Sequence, residues 1–409
     1  MTFLVAAAAD AGLPFIAVTF NYRSSIWGFL GGRQVSGSAN DNVGLYDQRM
    51  VLRWVQDNIS GFGGDPQKVT IWGGSSGADD VGFHLTARDT TDGSLRLFRA
   101  AILQSGSPVS TTNTHGEGFL EDIYQEIAST TGCVDSDDDS LDCLRTLPFE
   151  ELNQAFQKDS DPDGVRLFRS SFPTLDGHLI PGFASLRLKA SQHAQGSTWI
   201  SDRVTDWSSF RNYLVVDKKY PAHVVDRLMS HYTARETQPD DLLQPPIKSI
   251  SSRIDFERIE RLSGDLEINA ADRLLCERFS LSAGCYTYRF DAPTPSANDP
   301  RLGVLHGAEI GPLFQNTAGL GFDQNPFSNQ EPGYLKMSRM MGIAWAGFIA
   351  ELDPNRGLSE FNLSWPLYSL GRKESMIFDS SECRVERESD QRTRALDYIN
   401  GIQHTLMLR

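Results

Sequence analysis

The chain has 409 residues, 40% of them apolar, 10% aromatic and 22% charged, enough core-forming material along its whole length to exclude intrinsic disorder. With 38 Lys and Arg against 53 Asp and Glu the formal charge is −15, which speaks against non-specific nucleic-acid binding and against a polybasic membrane anchor. No run of about 20 apolar residues is present, so no transmembrane segment is expected.

Met1–Asp10 is a short apolar run with no basic residue before Arg23. It reads as the end of a helix rather than a secretory signal peptide, so the chain is expected to start inside a fold. Phe15–Phe20 is predicted as a buried strand. Val43–Ile59 carries apolar residues at helical spacing (Val51, Val55, Ile59; Met50, Trp54), with Asn42 as N-cap and Gly61 past its end. Val69–Trp72 is a short strand, Gly73–Gly77 a tight turn and Ala78–Thr86 the next helix. Ala100–Gln104 is a strand closed by Ser105-Gly106-Ser107-Pro108.

Helices follow near Phe119–Thr130, Ala222–Tyr232, Leu266–Phe279 and Tyr334–Glu351. Tyr286–Phe290 and Met376–Phe378 read as strands, Asp291–Pro300 as a loop and Arg394–Leu406 as a terminal helix. Strand–helix alternation predicts an α/β fold with a mostly parallel sheet and helices on both faces. No internal repeat is visible.

Five cysteines cannot all pair. Cys133 and Cys143 bracket an acidic loop, and spacing alone leaves a disulfide and two free thiols equally open. Cys276 and Cys285 are a second candidate pair, with Cys383 left over. The loop Asp135–Asp142 lacks the ordered spacing of a calcium site and reads as solvated. No His, Cys and Asp cluster has zinc-ligand spacing, so no metal is predicted. Asn58-Ile59-Ser60 and Asn362-Leu363-Ser364 fit glycosylation acceptors; the first falls in a helix, where chance explains it better.

Gly73-Gly74-Ser75-Ser76-Gly77 fits G-x-S-x-G between a predicted strand and a predicted helix. So tight a turn demands small residues beside Ser75. It lifts the serine oxygen above the sheet, with a helix N-terminus behind it that favours developing negative charge. The wider stretch Phe62–Gly77 resembles the serine signature of type-B carboxylesterases, the family of cholinesterases and fungal lipases. The likeness continues through Asn21-Tyr22-Arg23, Gly28-Phe29-Leu30, Asn42–Gln48 and Leu52–Ile59. It runs on through Gln104–Ser107, Leu175-Asp176-Gly177, Trp345 with Phe348, and Trp365-Pro366. The resemblance implies an α/β-hydrolase fold, Ser75 as nucleophile and a Cys133–Cys143 loop disulfide.

It also implies a base. In α/β-hydrolases the order along the chain is Ser, acid, His, and Leu302–Ile310 around His306 is similar to the family's histidine loop. His84, on the helix after the nucleophile, reads as packing. His115, His178, His193, His223, His231 and His404 read as solvent-facing.

Two parts of the family pattern are missing. Beyond Leu175-Asp176-Gly177 the family has an apolar strand and a glutamate, whereas here no apolar run separates Leu188 from Trp199. Either Gln195 replaces the acid or the strand and its acid are deleted near 189–199; the second absence favours deletion. Loss of a triad acid costs on the order of 10⁴ in turnover. Asp202 and Asp206 are weak substitutes. For the oxyanion hole, Ser76 supplies one backbone N–H. The family's Gly-rich loop would precede the segment matching Phe15–Tyr22, so the chain reads as incomplete at its N-terminus. Gly74 stands where the family has an acidic residue. Asp79 and Asp80 fall in a first helical turn and read as partners of the helix dipole.

The expectation is one α/β-hydrolase domain over 1–409, incomplete at the N-terminus and near 189–199. It would be a carboxylic-ester hydrolase acting on small-molecule or lipid esters through an acyl-enzyme, a serine-ester mechanism that needs no cofactor. The alternative is a catalytically dead truncated relative or a cholinesterase-like binding module. The family resemblance implies an extracellular parent. The same gaps predict an unpaired sheet edge and poor solubility.

Overall fold

The computed structural model describes residues 1–38, 41–88, 91–92, 95–109, 117–134, 140–158, 173–181, 204–218, 220–232, 250, 252–293 and 303–406. It opens with helix α1 (Thr2–Asp10), which buries Leu4 and Ala8; Ala8 packs with Ile343 and Ala346. The next segment departs from expectation. Phe15–Phe20 has no regular secondary structure and joins no ladder among the described residues. Ile16, Val18 and Phe20 are 45%, 40% and 42% exposed. Strand propensity without a neighbour to pair with does not make a strand.

Helix α2 (Val43–Asn58) forms as its periodicity predicts, although the apolar stripe divides. Leu45, Leu52 and Val55 are buried, while Met50 and Trp54 face outward. Asn42 precedes the helix in a left-handed conformation and makes no capping bond. Its side-chain amide grips Thr174 instead, accepting from Thr174 N–H at 2.7 Å and donating to its carbonyl at 2.8 Å. The Asn-Tyr-Arg landmark is held by α2: Arg23 places a guanidinium fork on the Asp47 carboxylate at 2.7 Å through both Nε and Nη2.

Strand β1 (Thr70–Gly74) pairs in parallel with β2 (Ala100–Gln104), running from Thr70 opposite Ala100 to Gly74 opposite Gln104. Helix α3 (Ser76–Thr86) follows β1 directly. Leu52, Ile71, Ala78, Val81 and Leu103 form one apolar cluster that joins α2, β1, α3 and β2.

Helix α4 (Glu117–Thr130) leads to helix α5 (Ser140–Thr146), and a Cys133–Cys143 disulfide clips the connection. Helices α6 (Ala222–Met229), α7 (Arg253–Gly264) and the C-terminal α8 (Asp390–Leu406) share a separate core containing Val225, Leu228, Ile259, Leu396 and Ile399. A five-residue π-turn, Asp265–Asn269, runs from α7 into the helix Ala270–Phe279. Cys276 in that helix is bonded to Cys285, and Cys383 is a free thiol.

A second ladder holds β3 (Tyr288–Phe290), β4 (Glu374–Phe378) and β5 (Arg384–Arg387). β3 pairs with β4 in parallel, and β4 with β5 antiparallel. The long helix Pro332–Glu351 covers it: Trp345 packs edge-on against Tyr288 and, together with Trp365 and Phe378, forms an aromatic core. The expected mostly parallel central sheet is thus seen as a parallel pair and a separate mixed three-stranded ladder, beside a two-residue antiparallel pairing of Thr91–Asp92 with Leu95–Arg96, among the described residues. Ile102 of β2 bridges the parallel pair and the three-stranded ladder through side-chain packing, belonging to the Trp345 cluster.

Beside β1, on the side away from β2, lies a groove of about 800 Å³. Ile16, Val18 and Phe20 line one wall, Val69 and Ile71 the other.

Candidate active site

The site grows out of the β1–α3 junction. Ser75 has φ 56° and ψ −127°, a region that non-glycine residues enter only under constraint. The constraint is visible. Ser75 N–H donates to the Gln104 carbonyl at 2.8 Å, and the Ser75 carbonyl accepts from Ala78 N–H at 2.8 Å. A Cβ on Gly73 would lie 2.0 Å from the Gly77 carbonyl oxygen, and one on Gly106 would lie 2.4 Å from that of Ser75. Glycine is required at both positions because backbone passes too close for any side chain.

Ser75 is exposed, and His306 reaches it across 231 residues of chain: the imidazole Nε2 lies 3.0 Å from Ser75 Oγ. His306 sits in a turn between Gly303 and Gly307, both at positive φ. The outer edge of the ring meets solvent, while the protein around the rest depresses its pKa below the ordinary histidine value by desolvation. Ser76 is the first residue of α3, so its N–H has no intrahelical acceptor.

Among the described residues no carboxylate hydrogen-bonds His306. Gln195 and Asp202, named above as positions bearing on the acid, lie outside the described residues, as do His115 and His193. Asp206 is engaged elsewhere. It caps the helix Trp207–Asn212, accepting from Ser209 N–H at 2.7 Å. His178 and His223 are exposed, and His231 packs on Tyr398.

Of the two acids expected to partner the helix dipole, Asp79 lies in the first turn of α3 and Asp80 does not; Asp80 is a buried hydrogen-bond acceptor instead. Asp80 is 4% exposed, and burial pushes its carboxyl up to about 6 despite a 2.6 Å bond from Gln48 Nε2. Gln48 Oε1 faces His84 Nε2 at 2.8 Å. His84 is buried, as its place on the helix suggested, and burial drives its pKa down to about 3. With Nε2 as donor to Gln48, Nδ1 is left as an acceptor with no partner. Residues Gln48, Asp80 and His84 are among the polar residues that line the groove. The signal for this network was present in Asn42–Gln48, but nothing local showed that Gln48 faces α3.

Glu309 and Gln104 form a linked pair that no local sequence pattern marks. Gln104 Nε2 donates to Glu309 Oε1 at 3.3 Å, and the Trp72 indole N–H donates to Gln104 Oε1. Among the described residues no group of three or more His, Cys, Asp or Glu side chains is placed to hold a metal ion. Nor is any helix among them long and apolar enough to cross a membrane.

A serine held at positive φ between a parallel strand and a helix, with a histidine from a distant loop above it, is the arrangement of an α/β-hydrolase elbow. The crystal structure of Aspergillus niger EstA matches with a TM-score of 0.77 over 99% of this chain and 77% of that one, at 21% identity. The model of the carboxylesterase family matches residues 9–396, and the chain belongs to that family. Its relatives include Lipase 2 of Diutina rugosa, 32% identical over 90% of this chain and 65% of that protein. Lipase 2 of Geotrichum candidum is 30% identical over 95% and 68%. A secreted triacylglycerol lipase of Gibberella zeae is 27% identical over 97% and 67%. The chain thus spans about two thirds of the length of these relatives, and 65% of the Diutina lipase.

Proposed function

We propose that the chain carries the catalytic pair of a carboxylic-ester hydrolase, with Ser75 as nucleophile and His306 as base. The observation that carries this reading is the 3.0 Å contact between Ser75 Oγ and His306 Nε2. In the first step His306 Nε2 takes the hydroxyl proton as Ser75 Oγ attacks the ester carbonyl carbon. The oxyanion forms beside the N-terminus of α3, where Ser76 N–H donates to it. Collapse expels the alcohol, which receives the proton from His306, and leaves an acyl-Ser75 ester. Water, deprotonated by His306, then releases the carboxylic acid and restores the serine.

The lowered His306 pKa keeps the imidazole neutral, and so competent as a base, to lower pH than a free histidine. Turnover should therefore fall on an acid limb placed below about 6.5. The substrate class is small-molecule or lipid esters, the latter by likeness to the lipases named above, and secretion of the parent protein rests on the same likeness. The decisive experiment is reaction with a fluorophosphonate and hydrolysis of p-nitrophenyl butyrate, with Ser75→Ala and His306→Ala as controls. Label and turnover present in the wild type and lost in both variants support the reading; turnover retained in Ser75→Ala defeats it.

A second reading has one observation in its favour, the lack of a carboxylate on His306 among the described residues. It makes the chain a silent relative with the elbow intact. It predicts no fluorophosphonate label at a dose that labels a full-length fungal lipase.

A further inference from the structure

Both members of the Ser75–His306 contact are tied to one residue. The Gln104 carbonyl holds the Ser75 backbone N–H at 2.8 Å, and the Gln104 side-chain amide holds Glu309, three residues beyond His306, at 3.3 Å. Gln104 and Glu309 are 3% and 7% exposed. The amide cannot turn over without loss, because its oxygen takes the Trp72 indole N–H while its nitrogen must face the carboxylate. The histidine turn is closed by its own bonds, Ala308 N–H to Leu305 O at 3.0 Å and Ile310 N–H to Gly307 O at 3.1 Å. It therefore moves as a unit, and a hold on Glu309 is a hold on His306.

We propose that Gln104 and Glu309 are positioning residues that set the distance between Ser75 and His306 by tying the histidine turn to the end of β2. This rests on reading Ser75 and His306 as the catalytic pair. In that reading the tie is needed because, among the described residues, no carboxylate orients the imidazole directly. The tie lies in the interior, where a hydrogen bond is electrostatically stronger than in water, and a displacement of about 1 Å can cost about 10²-fold in rate.

The test compares Glu309→Leu, which removes the acceptor, with Glu309→Gln, which keeps an acceptor oxygen toward Gln104. For p-nitrophenyl butyrate, Glu309→Leu should lower kcat by roughly 10- to 100-fold with KM within about twofold. Glu309→Gln should recover to within about threefold of wild type. A second readout does not need turnover: the His306 imidazole, assigned by its loss in His306→Gln, is titrated by NMR. In Glu309→Leu its pKa should move up toward that of a free histidine as the turn lifts away; in Glu309→Gln it should stay depressed. If Glu309→Leu does not fold, Gln104→Met removes the same tie from the other side. Unchanged kcat and an unchanged His306 titration in a folded tie-breaking variant overturn the proposal. A wild type without turnover whose His306 pKa still moves in Glu309→Leu refutes the catalytic reading and leaves the positioning role standing.

Discussion

The two sides of β1 are treated differently by the fold. Toward β2, the register from Thr70–Ala100 to Gly74–Gln104 is complete, and it delivers Ser75 N–H to the Gln104 carbonyl. Away from β2, the strand faces the 800 Å³ groove. There Thr70 Oγ1 and His84 Nδ1 are buried with no partner, and Ile16, Val18 and Phe20 line the groove while staying 40–45% exposed. The paired side is where the candidate chemistry is built, because hydrogen bonds from both neighbours hold the serine in a conformation it would not keep alone. The open side shows that apolar composition does not bury itself without a second surface to pack on.

This contrast can be broken at several points. The largest effect is expected on the paired side: Gly73→Ala forces a Cβ to 2.0 Å from the Gly77 carbonyl. It should cost about 3 kcal/mol or more in urea denaturation and abolish fluorophosphonate labelling. A cost below about 1 kcal/mol would mean that the elbow is looser than its contacts indicate.

Asp80→Asn comes next. The folded-state carboxyl titrates at about 6, above its ordinary value, so the folded protein resists its ionisation. Its cost begins as pH rises past about 4, where the unfolded carboxyl ionises and the folded one does not, and is complete once pH has passed 6. The substitution should therefore stabilise by about 2–3 kcal/mol at pH 8 and by close to nothing at pH 4. Equal effects at both pH values would remove Asp80 from the account.

Replacing Cys133 and Cys143 together by Ser opens the short loop and should cost about 2–3 kcal/mol, read as a lower urea midpoint. A melt insensitive to reductant and to this change would show the clip to be idle.

The smallest change is expected on the open side. Val18→Thr should shift stability by no more than about 0.5 kcal/mol, the range of an exposed site. A loss above about 2 kcal/mol would show Phe15–Phe20 to be packed as a buried strand and erase the difference between the two sides. The same exposed apolar wall predicts self-association, measurable as a concentration-dependent sedimentation profile that Ile16→Thr with Val18→Thr reduces.

Most of the candidate site's local geometry was legible in the sequence. G-x-S-x-G between a strand and a helix is a local pattern, and its glycines state their own sterics. His306 was legible only through likeness to the family's histidine loop, since no spacing rule connects residues 231 apart. The Gln104–Glu309 tie and the Gln48–Asp80–His84 network were not legible. Each joins residues from different elements, and a glutamine or aspartate in water looks no different in one dimension from one in a core. Phe15–Phe20 failed in the opposite direction: its residues favour a strand, but pairing is a property of two segments.

The amino-acid sequence by itself determined the local, steric part of this protein: where helices run, where the chain must turn on glycine, and which serine stands at the elbow. Tertiary structure alone decided which polar groups are paired, which carboxyl is forced toward neutrality, and which apolar face stays uncovered. Those depend on desolvation and on partners brought from far along the chain, and both come into being only when the segments meet.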